Sequence, residues 1–487
     1  MLKRFIMISA FLLLVISFPV SVSADSPFQG YVYNFWGDLV PSPAAYTPLR
    51  TFGTMEIDPA LGDLNDPTDI HIDQNDNIYI VDSGNDRIIV FDAALNLNRV
   101  IDGFYLNGVR ETFNRPNGIF VTQYDEIFIA DTRNHRVVVL DENDNFIREI
   151  TSPEIDGLED NFVFLPLQVL VDEGGRTYVI VQRVFEGIMS FNAAGDFIGY
   201  FGTINVGFNP IELLWRFFMT QEQLARQVQF IPTEFQSMSI DEYGFVFTTH
   251  VESWYANDQV MRLNPRGENV LVNFNENIPI NGDQGFRPSG TLSGPSVFID
   301  IVARSHGRYS TLDSTRGRVY TYDSEGNLLY VFSGTGNLQG MMRRPVALEV
   351  LGEDLFVLDA HGSGRVIHFT PTEYGNLVNT AIMMRYDGYE TGAVDAWRQL
   401  VSRDENFALA WSGIGRSYLA EGDNVSAMYY LRRGMDIRYF SVAFRRNRLD
   451  VMQTVFPNML TGGMALFGLY VTFKVYRHFK KRGVAAS

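Results

Sequence analysis

The chain has 487 residues, with 57 acidic against 39 basic side chains and no cysteine. That balance excludes the electropositive surface a nucleic-acid binder needs, and the missing cysteine excludes disulfides and thiol nucleophiles alike. Stability has to come from a large buried core, for which 38 Phe and 23 Tyr supply the area.

Residues 1–24 carry Lys3 and Arg4, an apolar run from Phe5 to Val15, and then Val22-Ser23-Ala24. This is the pattern of a cleaved export signal, which makes Asp25 the expected mature start. Pro19 and the serines after it interrupt the apolar run before the roughly 20 residues of a membrane span, so an uncleaved anchor is the competing reading. In the N-terminal segment 25–62, Tyr46-Thr47-Pro48-Leu49-Arg50-Thr51-Phe52-Gly53 reads as the outermost strand of a blade that would close a ring.

Over 63–386 the chain repeats itself. Pro67-Thr68-Asp69-Ile70 leads through Asn77 to Arg87-Ile88-Ile89-Val90-Phe91-Asp92, and the layout returns from Pro116-Asn117-Gly118-Ile119 to Arg136-Val137-Val138-Val139-Leu140-Asp141. Weaker copies run over Pro166–Gly195, Phe235–Asn264, Val297–Gly326 and Pro345–Thr370, making six units. Each holds three short apolar or alternating runs between turn residues, and most add a fourth, such as Phe197–Phe201 or Leu328–Phe332. Four-stranded sheets set about an axis bury both faces and leave only short edges, which is a β-propeller. An Asp closing one strand and an Arg opening the next recur as Asp82 with Arg87, Asp131 with Arg136, Asp313 with Arg318 and Asp359 with Arg365. A structural role follows, the Asp accepting hydrogen bonds from the turn and pairing with the Arg.

On these residues the units resemble NHL repeats, which implies a mainly β chain folded as a six-bladed propeller. Units three and four depart from the pattern, with Gln182 and Thr249 where the Asp belongs. Between units, Pro210–Phe230 has apolar residues at helical spacing and predicts a helix over one rim, while 275–291 predicts a polar rim loop.

From 387 to 454 the period becomes helical. Trp411, Ile414, Gly415, Tyr418, Gly422, Ala427 and Leu431 resemble a tetratricopeptide repeat, and Ala393 and Trp397 precede Ala427 and Leu431 by 34 residues, the period of that family. Gly434 and Tyr439 depart from it, so a short helical hairpin is expected rather than a long array. Val455–Phe473 contains no charge and spans roughly 28 Å as a helix, which predicts a transmembrane segment. Lys474, Arg477, Lys480, Lys481 and Arg482 follow it, but Arg438, Arg445, Arg446 and Arg448 flank its other side, so it is the export signal that makes 474–487 the expected basic cytoplasmic tail. The leader holds two of the 39 basic residues and the tail five, so 32 face all 57 acids on the extracytoplasmic side.

The search for chemistry returns little. The seven His lack metal spacing, and no nucleophile elbow or phosphate loop is present. The units also resemble gluconolactonase and senescence-marker propellers, a resemblance that would place Asp69 and Asn117 in the channel as binding residues beside a divalent metal. Their order departs from that family, and no N-terminal Glu-Xaa-Pro matches its third ligand. No catalytic residue and no cofactor is therefore expected, with a channel calcium or zinc left open. The reading is a single-pass, membrane-anchored, extracytoplasmic scaffold that binds another membrane or cell-surface protein, a peptide or a glycan. A metal-dependent lactonase-like hydrolase is the alternative.

Overall fold

The computed structural model describes residues 26–153, 162–202, 234–250, 259–274, 278–283 and 294–484. The expected export signal, the helix over 210–230 and most of the 275–291 loop lie outside the described residues.

Each repeat unit forms one antiparallel sheet, and six sheets form a β-propeller. Blade 1 runs from the axis outward through Asp69–Ile72, Ile78–Asp82, Arg87–Phe91 and Leu97–Ile101. The second strand of a blade is buried along its whole length, as in Ile78–Asp82, Ile127–Asp131, Thr177–Val181, Val246–His250 and Tyr309–Asp313. A neighbouring blade covers each of its faces, so the sequence there reads as a continuous apolar run instead of alternating. The outermost strand, with one side in solvent, reverts to a half-exposed pattern. Asx turns set the tight links. Asp73 Oδ1 accepts from the backbone N–H of Asn75 and Asn77, both at 2.8 Å, and leaves Asp76 in the left-handed region at φ 62°.

The inner strands Asp69–Ile72, Pro116–Val121, Pro166–Val171, Phe235–Ile240, Phe298–Ala303 and Pro345–Leu351 follow one another around the axis, and the last returns to the first. Tyr46–Phe52 closes the ring as the outer strand of blade 6, paired with Arg365–Pro371. Blade 5 is wider than the repeat implies. Gly30–Tyr33 and Leu39–Ser42 extend it to six strands beyond Leu328–Ser333.

A one-turn helix α1 (Thr54–Ile57) leads into blade 1, and five helices follow blade 6: α2 (Glu373–Tyr386), α3 (Val394–Arg403), α4 (Ala408–Glu421), α5 (Asn424–Arg433) and α6 (Ile437–Val484). Thr372 caps α2 by accepting from Gly375 N–H, and Asp423 caps α5 through Ser426 N–H. Glycines let the helices approach: a Cβ at Gly413 would lie 2.4 Å from Trp397 Cε2, and one at Gly415 2.5 Å from Leu431 Cγ. Trp397 is wholly buried and shares one apolar core with Phe332, Leu348 and Phe369 of blades 5 and 6. The helices are thus welded to the propeller. α6 is a single 48-residue helix, so the boundaries read from sequence at 454/455 and 473/474 fall inside it. Its stretch Ile437–Phe479 is long and apolar enough to cross a membrane, and its most apolar window is unburied within the chain.

Candidate functional site

The axial channel is built from one register position. Two residues after Pro67, Pro116, Pro166, Phe235, Phe298 and Pro345 stand Asp69, Gly118, Gln168, Ser237, Asp300 and Ala347, so a long hydrogen-bond acceptor alternates with a short residue. Each acceptor reaches the backbone of the next blade. Asp69 Oδ2 accepts from Ile119 N–H at 2.9 Å, Gln168 Oε1 from Met238 N–H at 2.6 Å, and Asp300 Oδ2 from Leu348 N–H at 2.6 Å. Blades 1 and 2, 3 and 4, and 5 and 6 are thereby stapled in pairs. At the unstapled boundary between blades 2 and 3, Gly118 lets the backbones approach closely, since a Cβ there would sit 2.5 Å from the Leu167 carbonyl oxygen. Ser237 donates its hydroxyl to Asp300 and accepts from Gln168 Nε2 at 3.3 Å, linking blades 3, 4 and 5.

Asp69, Gln168 and Asp300 line a cavity of about 190 Å³ together with His71, Ser239 and Glu349. His71 Nδ1 lies 3.4 Å from Glu349 Oε2. Burial pushes Asp300 up to about 7. Burial, followed by the charges of Asp300 and Glu349, also holds Asp69 well above the usual carboxylate range. Their partners are neutral, backbone N–H groups and, at Asp300, the Ser237 hydroxyl, and these offset only part of the cost of a buried charge.

Of the two channel candidates read from sequence, the structure puts Asp69 on the cavity wall and leaves Asn117 outside the lining. Asn117 is half-buried, and its backbone carbonyl accepts from Thr68 Oγ1 at 2.7 Å. A calcium-type site does not fit here. Both Asp69 oxygens already accept backbone N–H groups, Asp300 accepts three donors, and calcium takes six to eight oxygens. No cluster of metal-ligating side chains occurs among the described residues. Gln168, Asp300, Glu349 and His71 escape a reading by motif, yet stacking the units on their shared register would have brought out the first two.

The blade pairs do a separate job. Asp82 accepts from Arg87 Nε at 2.7 Å, Asp131 from Arg136 Nε at 3.0 Å, and Asp359 from Arg365 Nη2 at 2.9 Å. Each of these buried carboxylates also takes a backbone N–H from the loop entering its blade, that of Asn65, Asn114 and Arg344 respectively. Asp313 and Arg318 stand opposite in register but do not pair. The Asp313 carboxylate is taken by Ser296 Oγ at 2.6 Å and by Val297 and Thr315 N–H. Arg318 turns instead to Asp283 and to Tyr31 of the added N-terminal strand. Of these partners, Tyr31 comes from the strand that widens blade 5.

A second cavity, of about 490 Å³, opens where the N-terminal hairpin, blade 5 and the helices meet. Phe35, Phe274, Ile278 and Leu409 line its apolar side, and Glu325, Arg416, Asp436 and Arg438 its polar side. Glu325 accepts from Arg385 of α2 and from Arg416 of α4, and Arg416 also reaches Asp436 at 3.3 Å. Burial alone would raise Glu325, but hydrogen bonds and charge from Arg416 and Arg385 bring it down to about 2. The Arg438 guanidinium sits 4.0 Å from the centre of the Phe274 ring at the cavity edge.

The sequence pattern of the NHL repeat matches residues 113–140, the core of blade 2. No curated protein matches the chain. Among solved structures it is similar to virginiamycin B lyase from Staphylococcus aureus, at 9% identity and a TM-score of 0.41 over 67% of this chain and 99% of that one. It is also similar to a putative gluconolactonase, at 11% identity and 0.39 over 71% and 98%. A third is the PQQ-bound aldose sugar dehydrogenase from Streptomyces coelicolor, at 13% and 0.37 over 68% and 100%. The chain carries an NHL repeat within a six-bladed β-propeller and continues into C-terminal helices, one of them long and apolar.

Proposed function

We propose that this chain is a membrane-anchored extracytoplasmic binding protein whose propeller and tetratricopeptide-like helices together present a cleft to a membrane or cell-surface protein, a peptide or a glycan. The observation that carries the reading is the join. Blades 5 and 6 and helices α2 to α4 share one core, and α6 runs on unbroken through an apolar stretch unburied in the chain. A disc fixed to such a helix is held at a set height above a bilayer, with the 490 Å³ cleft on its helical side. The cleft combines apolar walls with a few convergent charges, as ligand sites commonly do.

Because the chain has no cysteine, single thiols can report its topology. Tyr124→Cys in the propeller should react with an impermeant maleimide on intact cells, and Ser487→Cys should react only after lysis. Reversed labelling, or release of the protein by alkaline carbonate, would overturn the anchoring. A photo-crosslinking residue at Leu409 in the cleft should capture a species that the same residue at Tyr124 does not. Identical capture from both positions argues against the cleft.

A further inference from the structure

We infer that the first turns of α6 form an arginine collar that binds the phosphates of anionic phospholipid headgroups on the leaflet facing the propeller. The inference rests on the anchored reading above and adds a ligand to it. Arg438, Arg445, Arg446 and Arg448 are all exposed. In a chain where acids outnumber bases and most buried or half-buried arginines are ion-paired, none of these four has a carboxylate partner among the described residues. Arg438 is spent on Phe274, and Arg446 donates to the Leu419 carbonyl at 3.3 Å. Arg445 and Arg448 are left, three apart and so on one face of the helix.

Asp450 is the single acid between Arg438 and Thr454. It lies about 200° around the helix from Arg448 and accepts from Asn424 Nδ2 of α5 at 2.7 Å. The acid therefore faces the protein while the two arginines face away from it.

Their height suits a headgroup layer. The uncharged run Val451–Phe473 extends about 34 Å as a helix, enough for a hydrocarbon core of about 30 Å. Arg448 then sits about 4.5 Å and Arg445 about 9 Å outside that run, where phosphates lie in a bilayer of about 40–45 Å. Exposed Phe444 adds an aromatic anchor at the same level. A guanidinium fork matches a phosphate in shape and charge. The rest of the extracytoplasmic part is strongly acidic and an anionic surface repels it, so these arginines are where that surface can be accommodated.

Full-length protein is reconstituted with photoreactive phosphatidylglycerol or phosphatidylcholine, and crosslinks are mapped by peptide so that the basic tail is scored separately. Crosslinks in 438–452 should favour phosphatidylglycerol by on the order of tenfold. That preference should vanish in Arg445→Gln/Arg448→Gln and weaken in about 1 M salt, where screening reaches about 3 Å. Inorganic phosphate should leave it unchanged. Equal crosslinking of the two lipids by the unaltered protein overturns the collar, and so does full competition by free phosphate, which marks a soluble-anion site. Failure of the anchoring reads out separately, as release by alkaline carbonate.

Discussion

The axial channel buries its carboxylates and the propeller–helix junction half-buries its own, and the two treat them in opposite ways. In the channel, Asp69 and Asp300 are partnered by backbone N–H groups and a hydroxyl. At the junction, Glu325 holds Arg385 and Arg416, while Glu353 holds Arg304 and Arg308, two guanidiniums almost wholly buried. Burial wins in the channel and raises both acids. At the junction burial is less complete and is outweighed by guanidinium hydrogen bonds and charge, and both acids are lowered. Neutral dipoles position a carboxyl in a low-dielectric interior, but a full opposite charge is what keeps it ionised there.

The two regions should therefore respond to pH with opposite signs. A carboxyl raised in the folded state keeps its proton while the unfolded chain releases one, so the stability it adds is complete below the ordinary carboxylate pKa and is lost as pH rises. For Asp300 that window runs from about 4 to about 7. Glu325 is lowered, so its contribution is complete above the ordinary value and is lost as pH falls toward about 2.

The largest expected effect breaks the junction. Glu325→Gln leaves two nearly buried guanidiniums without their shared carboxylate and should cost about 3–5 kcal/mol, read by urea denaturation of the detergent-solubilised protein. Early proteolysis between α2 and α4 should accompany it, and a loss below about 1 kcal/mol would mean that Asp436 suffices for Arg416.

Asp300→Asn sharpens the comparison from the channel side. It should cost about 1–3 kcal/mol at pH 5, because one amide oxygen replaces the two that accept from Ser237 Oγ, Ile301 N–H and Leu348 N–H, and it should flatten the decline in stability between pH 5 and 8. An unchanged slope would assign the titration to Asp69, Glu349 or His71. Gln168→Leu removes the uncharged staple, and with it the acceptor of Met238 N–H. It should cost about 1–2 kcal/mol at every pH, separating the hydrogen bond from the titration. The smallest effect is expected at the rim. In Arg87→Ala, Asp82 keeps Asn65 N–H and Asn85 Nδ2 as donors, so thermal denaturation should register a loss of about 1 kcal/mol.

Much of the fold was legible because a propeller writes its geometry locally. Each blade has a buried second strand and an Asx or glycine turn, and four of the six end that strand in an Asp. Blades 3 and 4 form although Gln182 and Thr249 replace that Asp. Packing of second strands such as Thr177–Val181 is thus sufficient without the pair. Tyr46–Phe52 was readable as a strand from its own residues, whereas the hairpin that widens blade 5 was not, since Gly30–Tyr33 and Leu39–Ser42 belong to no repeat. That hairpin supplies Tyr31, which accepts from Arg318 and donates to Asp283, the carboxylate that Arg318 meets in place of Asp313.

By itself, the order of residues determined the number of blades, the switch from strand to helix after blade 6, and the apolar run within α6, because these follow from periodicity and composition along a short stretch. The closed ring alone decided which side chains share the channel, bringing Asp69, Gln168 and Asp300 from blades 1, 3 and 5 around one axis. Only the docking of α2 and α4 on blade 5 turned Glu325 into the centre of an ion network with arginines 60 and 91 residues away. Electrostatic fate in an interior depends on what lies across a few ångströms of low dielectric, and separation along the chain does not report that.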